Sequence, residues 1–316
     1  MPDPTRESIS ATETPALFNA SPYLTKRMLY ERIANGVDID SPENNRMDWG
    51  KRMQGVLLQA AAEDHKLDVL PNIGSDGKEV YIRRGRIGCT RDAVIIDPQR
   101  GPGALEIKMC NDYRVWRESW GSGATPPRHN EVQLQQQIMV GDGVTPFTWG
   151  LLGCWIAGEM KYWKREPMPR LWAQIEKETT QFYEDVAAKK APDWIGDPVE
   201  MPLLTELFPP RFAKVTDFTT RDDAEKLAEK CLMLNYHSKE RLGHAKAEDK
   251  LKAELRALLL DAEEGRFIHG IKFTVKQSDR KGYMVPAGKT TRTDLYVPDD
   301  VPRGNIAKDF TADLGG

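Results

Sequence analysis

"GALEIKMC", residues 103–110, is the stretch on which the fold turns. Its centre, Leu105-Glu106-Ile107-Lys108-Met109, sets a carboxylate and an ammonium on either side of one isoleucine inside an apolar run. Residues i and i+2 of a strand share a face, so Glu106 and Lys108 stand side by side. A half-buried strand usually fills its inward face with Val, Ile or Leu, because an unpaired buried charge is costly. Taken alone, the octapeptide favours a solvent-facing ion pair, and only its surroundings can change that reading.

Upstream, "CTRDAVIID" places Asp92 in the preceding strand, 106 − 92 = 14 residues before Glu106. Adjacent strands lie ~4.8 Å apart, so two carboxylates on neighbouring strands can share one divalent cation. Mg²⁺ prefers a few carboxylates, a carbonyl oxygen and water. Asp92, Glu106 and the backbone carbonyl of Ile107 supply such a set. Lys108 would then orient or deprotonate an attacking water and counter developing phosphate charge. Many unrelated hairpins carry this spacing by chance. Downstream, "HNEVQLQQQIMVG" packs Gln133, Gln135, Gln136 and Gln137 into five helical residues, with Leu134 and Ile138 on another side. A solvated polar face explains the glutamines as readily as a site does. Upstream again, "RMDWGKRMQG" opens a helix with Gly50-x-x-x-Gln54.

Composition bounds the problem without solving it. The 316 residues are 40% hydrophobic and 29% charged, as in an ordinary globular chain long enough for a large domain and a smaller one. The net charge of −3 carries no global signature of nucleic-acid binding, so any such contact must be a local groove. No apolar run approaches the ~20 residues that cross a bilayer, and the start lacks a signal-peptide pattern. Cys89, Cys110, Cys154 and Cys231 are scattered, with no CxxC or Cys/His spacing that would indicate zinc or a disulfide framework. A reducing, cytoplasmic setting is expected.

Along the chain, residues 1–20 read as a disordered lead and 21–190 as a core. Within that core, helices are expected at 21–36, from 51, at 128–141 and at about 168–189, with a short helix in "DYRVWRESWG". Strands are expected at 78–83, 86–97 and 104–109 and in the two runs after the glutamine helix. The order implies an α/β fold with a mixed central sheet flanked by helices. Residues 191–214 are Pro-rich and nonperiodic, a linker by composition. Beyond it, residues 215–316 read as a helical extension, with helices at about 220–236 and 239–264, ending in a small β region. The apolar stripe Leu251, Leu255, Leu259 and the Glu248–Lys252 spacing mark its second helix as a solvated helix packed on a neighbour.

With these motifs in hand, the sequence resembles the lambda exonuclease and YqaJ-like viral recombinase family of the PD-(D/E)xK nuclease superfamily. The family pattern is a Gly-x-x-x-Glu helix, an Asp at a strand end, Glu-x-Lys on the next strand and a Gln-x-Gln helix. Here these stand as Gly50 to Gln54, Asp92, Glu106-Ile107-Lys108 and Gln133-Leu134-Gln135, in that order, and the resemblance spans about residues 22–190. It implies a PD-(D/E)xK core and a Mg²⁺-dependent exonuclease, with Mn²⁺ an alternative, acting 5′-to-3′ on double-stranded DNA ends. The overhangs would serve phage-type recombination in a bacterial or phage-infected cell. It further implies a homo-oligomer, a ring-shaped trimer in the family, and a single-strand annealing partner. Asp92, Glu106, Lys108 and Gln133 take the catalytic roles, and Asp92, Glu106, the Ile107 carbonyl and Gln54 the metal-binding ones. Two departures stand out: Arg91 replaces the usual Pro, and the neutral Gln54 replaces the first-helix Glu. Either two carboxylates suffice, or a shifted residue such as Glu63 substitutes, or the activity is weakened, and in a further reading the site is dead.

For DNA contact, the expected residues are Arg114, Arg117 and Trp120, with Gln135 and Gln137; Trp116 reads as core. His129, just before the glutamine helix, reads as a capping or structural residue. Two alternatives stay open. One is a catalytically weak or inactive DNA-end-binding module of the same fold. The other is a Cas4- or RecB-like nuclease, against which the scattered cysteines argue.

Overall fold

A computed structural model describes residues 7–37, 45–110, 125–156, 158–239, 245–280 and 288–297. The chain divides into two compact units, Met1–Pro192 and Asp193–Gly316.

In the first unit, β1 (Ile9–Ser10) and α1 (Thr14–Leu17) precede α2 (Lys26–Asn35) and the long α3 (Asn45–His65). Then come β2 (Asp68–Pro71), β3 (Ile82–Arg84), β4 (Ile87–Cys89), β5 (Ala93–Asp97) and β6 (Gly101–Cys110). The glutamine helix is α4 (Arg128–Val140), followed by β7 (Gly150–Ile156), β8 (Glu159–Arg165) and α5 (Pro169–Ala187). Thr25 caps α2 by accepting from the Met28 N–H, and Gly36, at φ 67°, ends it in the left-handed region.

The main sheet runs β2-β5-β6-β7-β8. Only β6 and β7 pair in parallel, so the sheet is mixed, and β6 holds its centre. Period-2 alternation splits β6 between two cores. Leu105 faces α3, among Leu58, Ala61, Ile95, Trp149 and Leu151. Ala104 and Cys110 face α4, among Leu134, Ile138, Leu152 and Cys154. Glu106 and Lys108 therefore lie on the α4 side, Glu106 buried and Lys108 partly exposed. Gly150 lets that helix come close: a Cβ there would meet Ile138 Cδ1 at 2.8 Å.

Several expectations need correction. Residues 86–97 are not one strand, because the backbone breaks at Thr90–Asp92. β4 joins β1 and β3 in a separate three-stranded sheet, while β5 enters the main one. From residue 7 on, the segment expected to be a disordered lead is ordered: β1 pairs in parallel with β4, and Ile9, Thr14 and Ala16 are wholly buried. What holds it lies far along the sequence. Gln136 donates to the carbonyls of Ile9 (3.0 Å) and Gly88 (2.8 Å) and accepts from the Thr14 hydroxyl.

The second unit comprises α6 (Met201–Leu207), β9 (Arg211–Asp217), α7 (Ala224–Lys239), α8 (Ala245–Leu259), β10 (Ala262–Arg266), β11 (Lys272–Arg280) and β12 (Gly288–Tyr296). Its sheet order is β12-β11-β10-β9, packed on the helices through Cys231, Leu255, Phe267 and Phe273. Residues 191–214 thus hold a helix and the start of a strand where composition suggested a linker. The helix expected to reach residue 264 stops at Leu259, because Leu260 turns to φ 51° and β10 follows. No helix among the described residues is long and apolar enough to cross a membrane.

Candidate active site

Asp92 sits in the bend that separates β4 from β5, one residue beyond the pair Ala93↔Leu105. This position sets it beside the Glu106 end of β6. Its Oδ2 accepts from the backbone N–H of Ile107 at 2.6 Å, and its Oδ1 from the side-chain amide of Gln54 at 2.6 Å. Gln54 reaches it from α3. The bend is pinned from behind by Arg91, which is buried, donates to the Gly141 carbonyl at 2.5 Å and lies 4.8 Å over the Phe147 ring. An arginine in place of the usual proline therefore anchors the Asp92 backbone to the C-terminal end of α4.

Glu106 is 4% exposed. Three donors hold its carboxylate: Gln133 on Oε1 and Gln137 on Oε2, both at 2.6 Å, and the Lys108 ammonium 2.6 Å from Oε1. A buried charge survives only with such partners. Burial tends to lower the Lys108 pKa, but Glu106 outweighs it and the group ends above the ordinary ammonium range. Lys108 is therefore a fixed positive charge beside Glu106. Asp92 is pushed the other way, up to about 7, first by burial and then by the Glu106 charge. A carboxyl group crowded in this manner gains from a cation.

The donor set is hard oxygen: Asp92, Glu106 and, after a half-turn of its amide, the Gln54 oxygen. It fits Mg²⁺ or Mn²⁺ rather than a thiolate-loving metal. Among the described residues no group of three His, Cys, Asp or Glu clusters as a metal cage, so two carboxylates form the anionic part. Glu63 does not complete it. It is exposed, accepts from Gln59 at 2.9 Å and lies nine residues along α3 from Gln54, roughly 13 Å of helix. The four cysteines are buried free thiols, and Cys231 lies in the second unit.

The glutamine helix proves to be buried, each amide with its own task. Gln133 and Gln137 serve Glu106, and Gln137 also donates to the Thr90 carbonyl at 3.2 Å. Gln136 ties down the start of the chain. Gln135, expected at DNA, is wholly buried and turned towards the β8–α5 turn: it donates to the Glu166 carbonyl and accepts from Met168 N–H and Trp172 Nε1. Gln135 is a structural residue with no surface to offer DNA, and Gln137 is likewise enclosed. Arg114, Trp116, Arg117 and Trp120, with the short helix expected there, lie outside the described residues.

Sequence reasoning passed over one feature. A cavity of about 280 Å³ opens beside Lys108, lined by Tyr23, Met109, His129, Asn130 and Gln133 among others. Tyr23 and His129 meet edge to face, their rings 6.0 Å apart. Burial, and then the Lys108 charge, lower the His129 pKa to about 4, so its imidazole is neutral at pH 7. The only sequence signal was His129 next to the glutamine run.

The YqaJ-like viral recombinase domain family model matches residues 5–144, which hold Gln54, Asp92, Glu106, Lys108 and the whole of α4. No curated protein matches the chain. Among solved structures, the alkaline exonuclease LHK-Exo from Laribacter hongkongensis is 18% identical, with 58% of this chain and 90% of that one covered and a TM-score of 0.44. LHK-Exo in complex with dAMP gives 14%, 59%, 91% and 0.46. A phage-related exonuclease from Haemophilus somnus 129PT gives 9%, 58%, 96% and 0.45. Over residues 5–144, somewhat under half of its length, the chain is thus similar to the YqaJ-like viral recombinase domain.

Proposed function

We propose that this protein is a metal-dependent exonuclease that degrades linear double-stranded DNA, 5′-to-3′, and leaves single-stranded overhangs for phage-type recombination. The observation that carries the reading is the convergence of Asp92, Glu106 and Lys108 at the centre of one sheet, inside the matched domain. Asp92 and Glu106 would hold the divalent cation, with Gln54 as a neutral third ligand. When bound, the cation supplies Lewis-acid charge to the scissile phosphate and lowers the pKa of water. Lys108, kept protonated by Glu106, faces the phosphate with a positive charge that is worth most as negative charge develops. Gln133 and Gln137 fix the Glu106 carboxylate so that it needs no reorganisation. The resemblance further suggests a ring-forming homo-oligomer and an annealing partner.

Gln54 supports a second reading, a weak or silent DNA-end-binding module, since it brings an amide where the family brings a charge. One experiment separates the two. Linear duplex with 5′ phosphates is incubated with the wild type, Asp92→Ala and Glu106→Ala, with Mg²⁺ or with EDTA. The nuclease reading requires EDTA-sensitive degradation that falls at least ~10²-fold in both variants. Intact DNA whose ends the wild-type protein nevertheless binds in a gel shift would support the silent module.

A further inference from the structure

The turn between β3 and β4 reads Arg83-Arg84-Gly85-Arg86, and its three arginines are all exposed. Arg84 pairs with Ile87 at the last register of the hairpin, and Gly85 closes the turn in the left-handed region at φ 63°. Nothing lies within 4 Å of the place a Gly85 Cβ would take, so the tip of the turn is open. The three guanidinium groups are held in two different ways. Arg83 is ion-paired to Glu7 at 2.5 Å, which cancels its charge. Arg84 instead donates to the Met139 carbonyl at 3.2 Å, and Arg86 lies 4.4 Å over the ring of Tyr183 on α5. A carbonyl and an aromatic face hold an arginine in place without neutralising it. Tyr183 is only 9% exposed, so the platform under Arg86 is itself fixed. Glu13, whose charge is felt at Tyr183, is paired with Arg32 at 2.9 Å. Among the described residues, Glu7 is the one carboxylate bonded to an arginine of this turn. Two anchored positive charges thus stand together on a chain whose net charge is −3.

We propose that this turn grips the phosphate backbone of duplex DNA outside the candidate active site, through Arg84 and Arg86. A guanidinium fork matches a phosphate bidentately, and a fork anchored beforehand loses less entropy on binding. The two arginines are at most about 7 Å apart along the chain, which suits neighbouring phosphates of one strand. Six residues separate Arg86 from Asp92, at most about 22 Å, or about six base-pair steps of duplex. The turn holds uncut duplex while the strand end lies at Asp92 and Glu106. Because it reads backbone and no base edge, it carries no sequence preference. The inference rests on the reading of the protein as one that acts on duplex DNA, and deepens it by naming a second point of contact.

The test uses the full chain in EDTA with a blunt, fluorescein-labelled duplex carrying 5′ phosphates. Its affinity is read by anisotropy between about 50 and about 200 mM KCl, where each phosphate contact contributes about 0.9 to the slope of log K against log salt. The Arg84→Gln/Arg86→Gln variant should lose about two contacts, which makes its slope shallower by about 1.8. Over that range the wild type should then lose about tenfold more affinity than the variant. Each single Gln variant should show about half of the change in slope, and a duplex of unrelated sequence should give the same result. Arg84→Lys/Arg86→Lys keeps both charges and should keep the wild-type slope. An unchanged slope in the Gln variants, a Lys variant as shallow as the double Gln variant, a change confined to one duplex sequence, or no measurable binding of duplex by the wild type each overturns the proposal. No DNA is cut in this assay, so the two readings fail separately. Duplex gripped through the turn by a chain that leaves DNA intact in Mg²⁺ refutes the nuclease alone. Degradation in Mg²⁺ with the salt slope unmoved refutes the turn alone.

Discussion

Replacing Asp92 with Asn should make the metal-free protein more stable at pH 8 while destroying its activity. In the folded chain the Asp92 pKa moves from 3.8 to about 7, by burial and by the nearby Glu106. A raised acid pKa means that the native state holds the proton more tightly than the unfolded state. The resulting cost to stability is absent below pH ~4, grows as pH rises towards 7, and is at its full value above that. Three pKa units correspond to a ceiling of about 4 kcal/mol. Asp92 is only half-buried, and screening by water reduces this to about 2 kcal/mol at pH 8 and to under 1 kcal/mol at pH 5. Asn cannot ionise. It can still accept from the Ile107 N–H, and the Gln54 amide can rotate to accept from it. Relative to the wild type, Asp92→Asn should therefore gain about 1–1.5 kcal/mol between pH 5 and pH 8, or roughly 3–5 °C for a unit of this size. Thermal unfolding followed by circular dichroism in EDTA, at equal ionic strength, gives the double difference. Mg²⁺ should raise the wild-type melting temperature at pH 8 and leave the variant unmoved. A variant that gains nothing between the two pH values would refute the claim that Asp92 is an electrostatically strained carboxyl.

Gln54→Glu should lower the Mg²⁺ concentration for half-maximal activity, because it sets a second carboxylate beside Asp92. In EDTA the same variant should melt below the wild type, as two like charges then meet at hydrogen-bond distance; an unchanged Mg²⁺ requirement would show that Gln54 does not serve the cation. Lys108→Arg should reduce turnover nearly as far as Lys108→Ala while DNA binding persists in a gel-shift assay, since a planar guanidinium does not fit where the ammonium contacts Glu106. Gln136→Leu strands the Ile9 and Gly88 carbonyls in the interior and should cost about 3 kcal/mol, seen as a drop in the urea midpoint, with the Mg²⁺ requirement of the folded fraction unchanged.

Legibility in the sequence followed the range over which each signal acts. The alternation in Leu105–Met109 is local, so the strand and the shared face of Glu106 and Lys108 could be read directly. Asp92 came from spacing, yet the backbone break beside it did not, since "RIGCTRDAVIID" has the composition of one unbroken strand. The glutamines announced a helix but not their burial. Their partners are distant in the chain, as with Gln136 and Ile9, 127 residues apart. The same distance hid the order in "SISATETPAL", whose polar composition is neutral until α4 arrives. In the second unit, β9 follows two prolines and its side chains are mostly exposed, and β10 carries Glu263, Glu264 and Arg266. Neither has the apolar alternation that identifies a strand, because each depends on a neighbouring strand for its place.

The tie between the start of the chain and α4 has a consequence for biosynthesis. The segment holding Ile9 and Thr14 leaves the ribosome early, but its partners at Gly88 and Gln136 come much later, and β6 stays without its parallel neighbour until Ile156 is made. At about 5–20 residues per second, the 139 residues between Leu17 and Ile156 take roughly 7–30 s to translate. Within that interval Glu106 is made before the amides of Gln133 and Gln137, and the sheet closes beside it only with β7. A chain that stops short of Ile156 therefore lacks the parallel neighbour of β6 on which the proposed site depends.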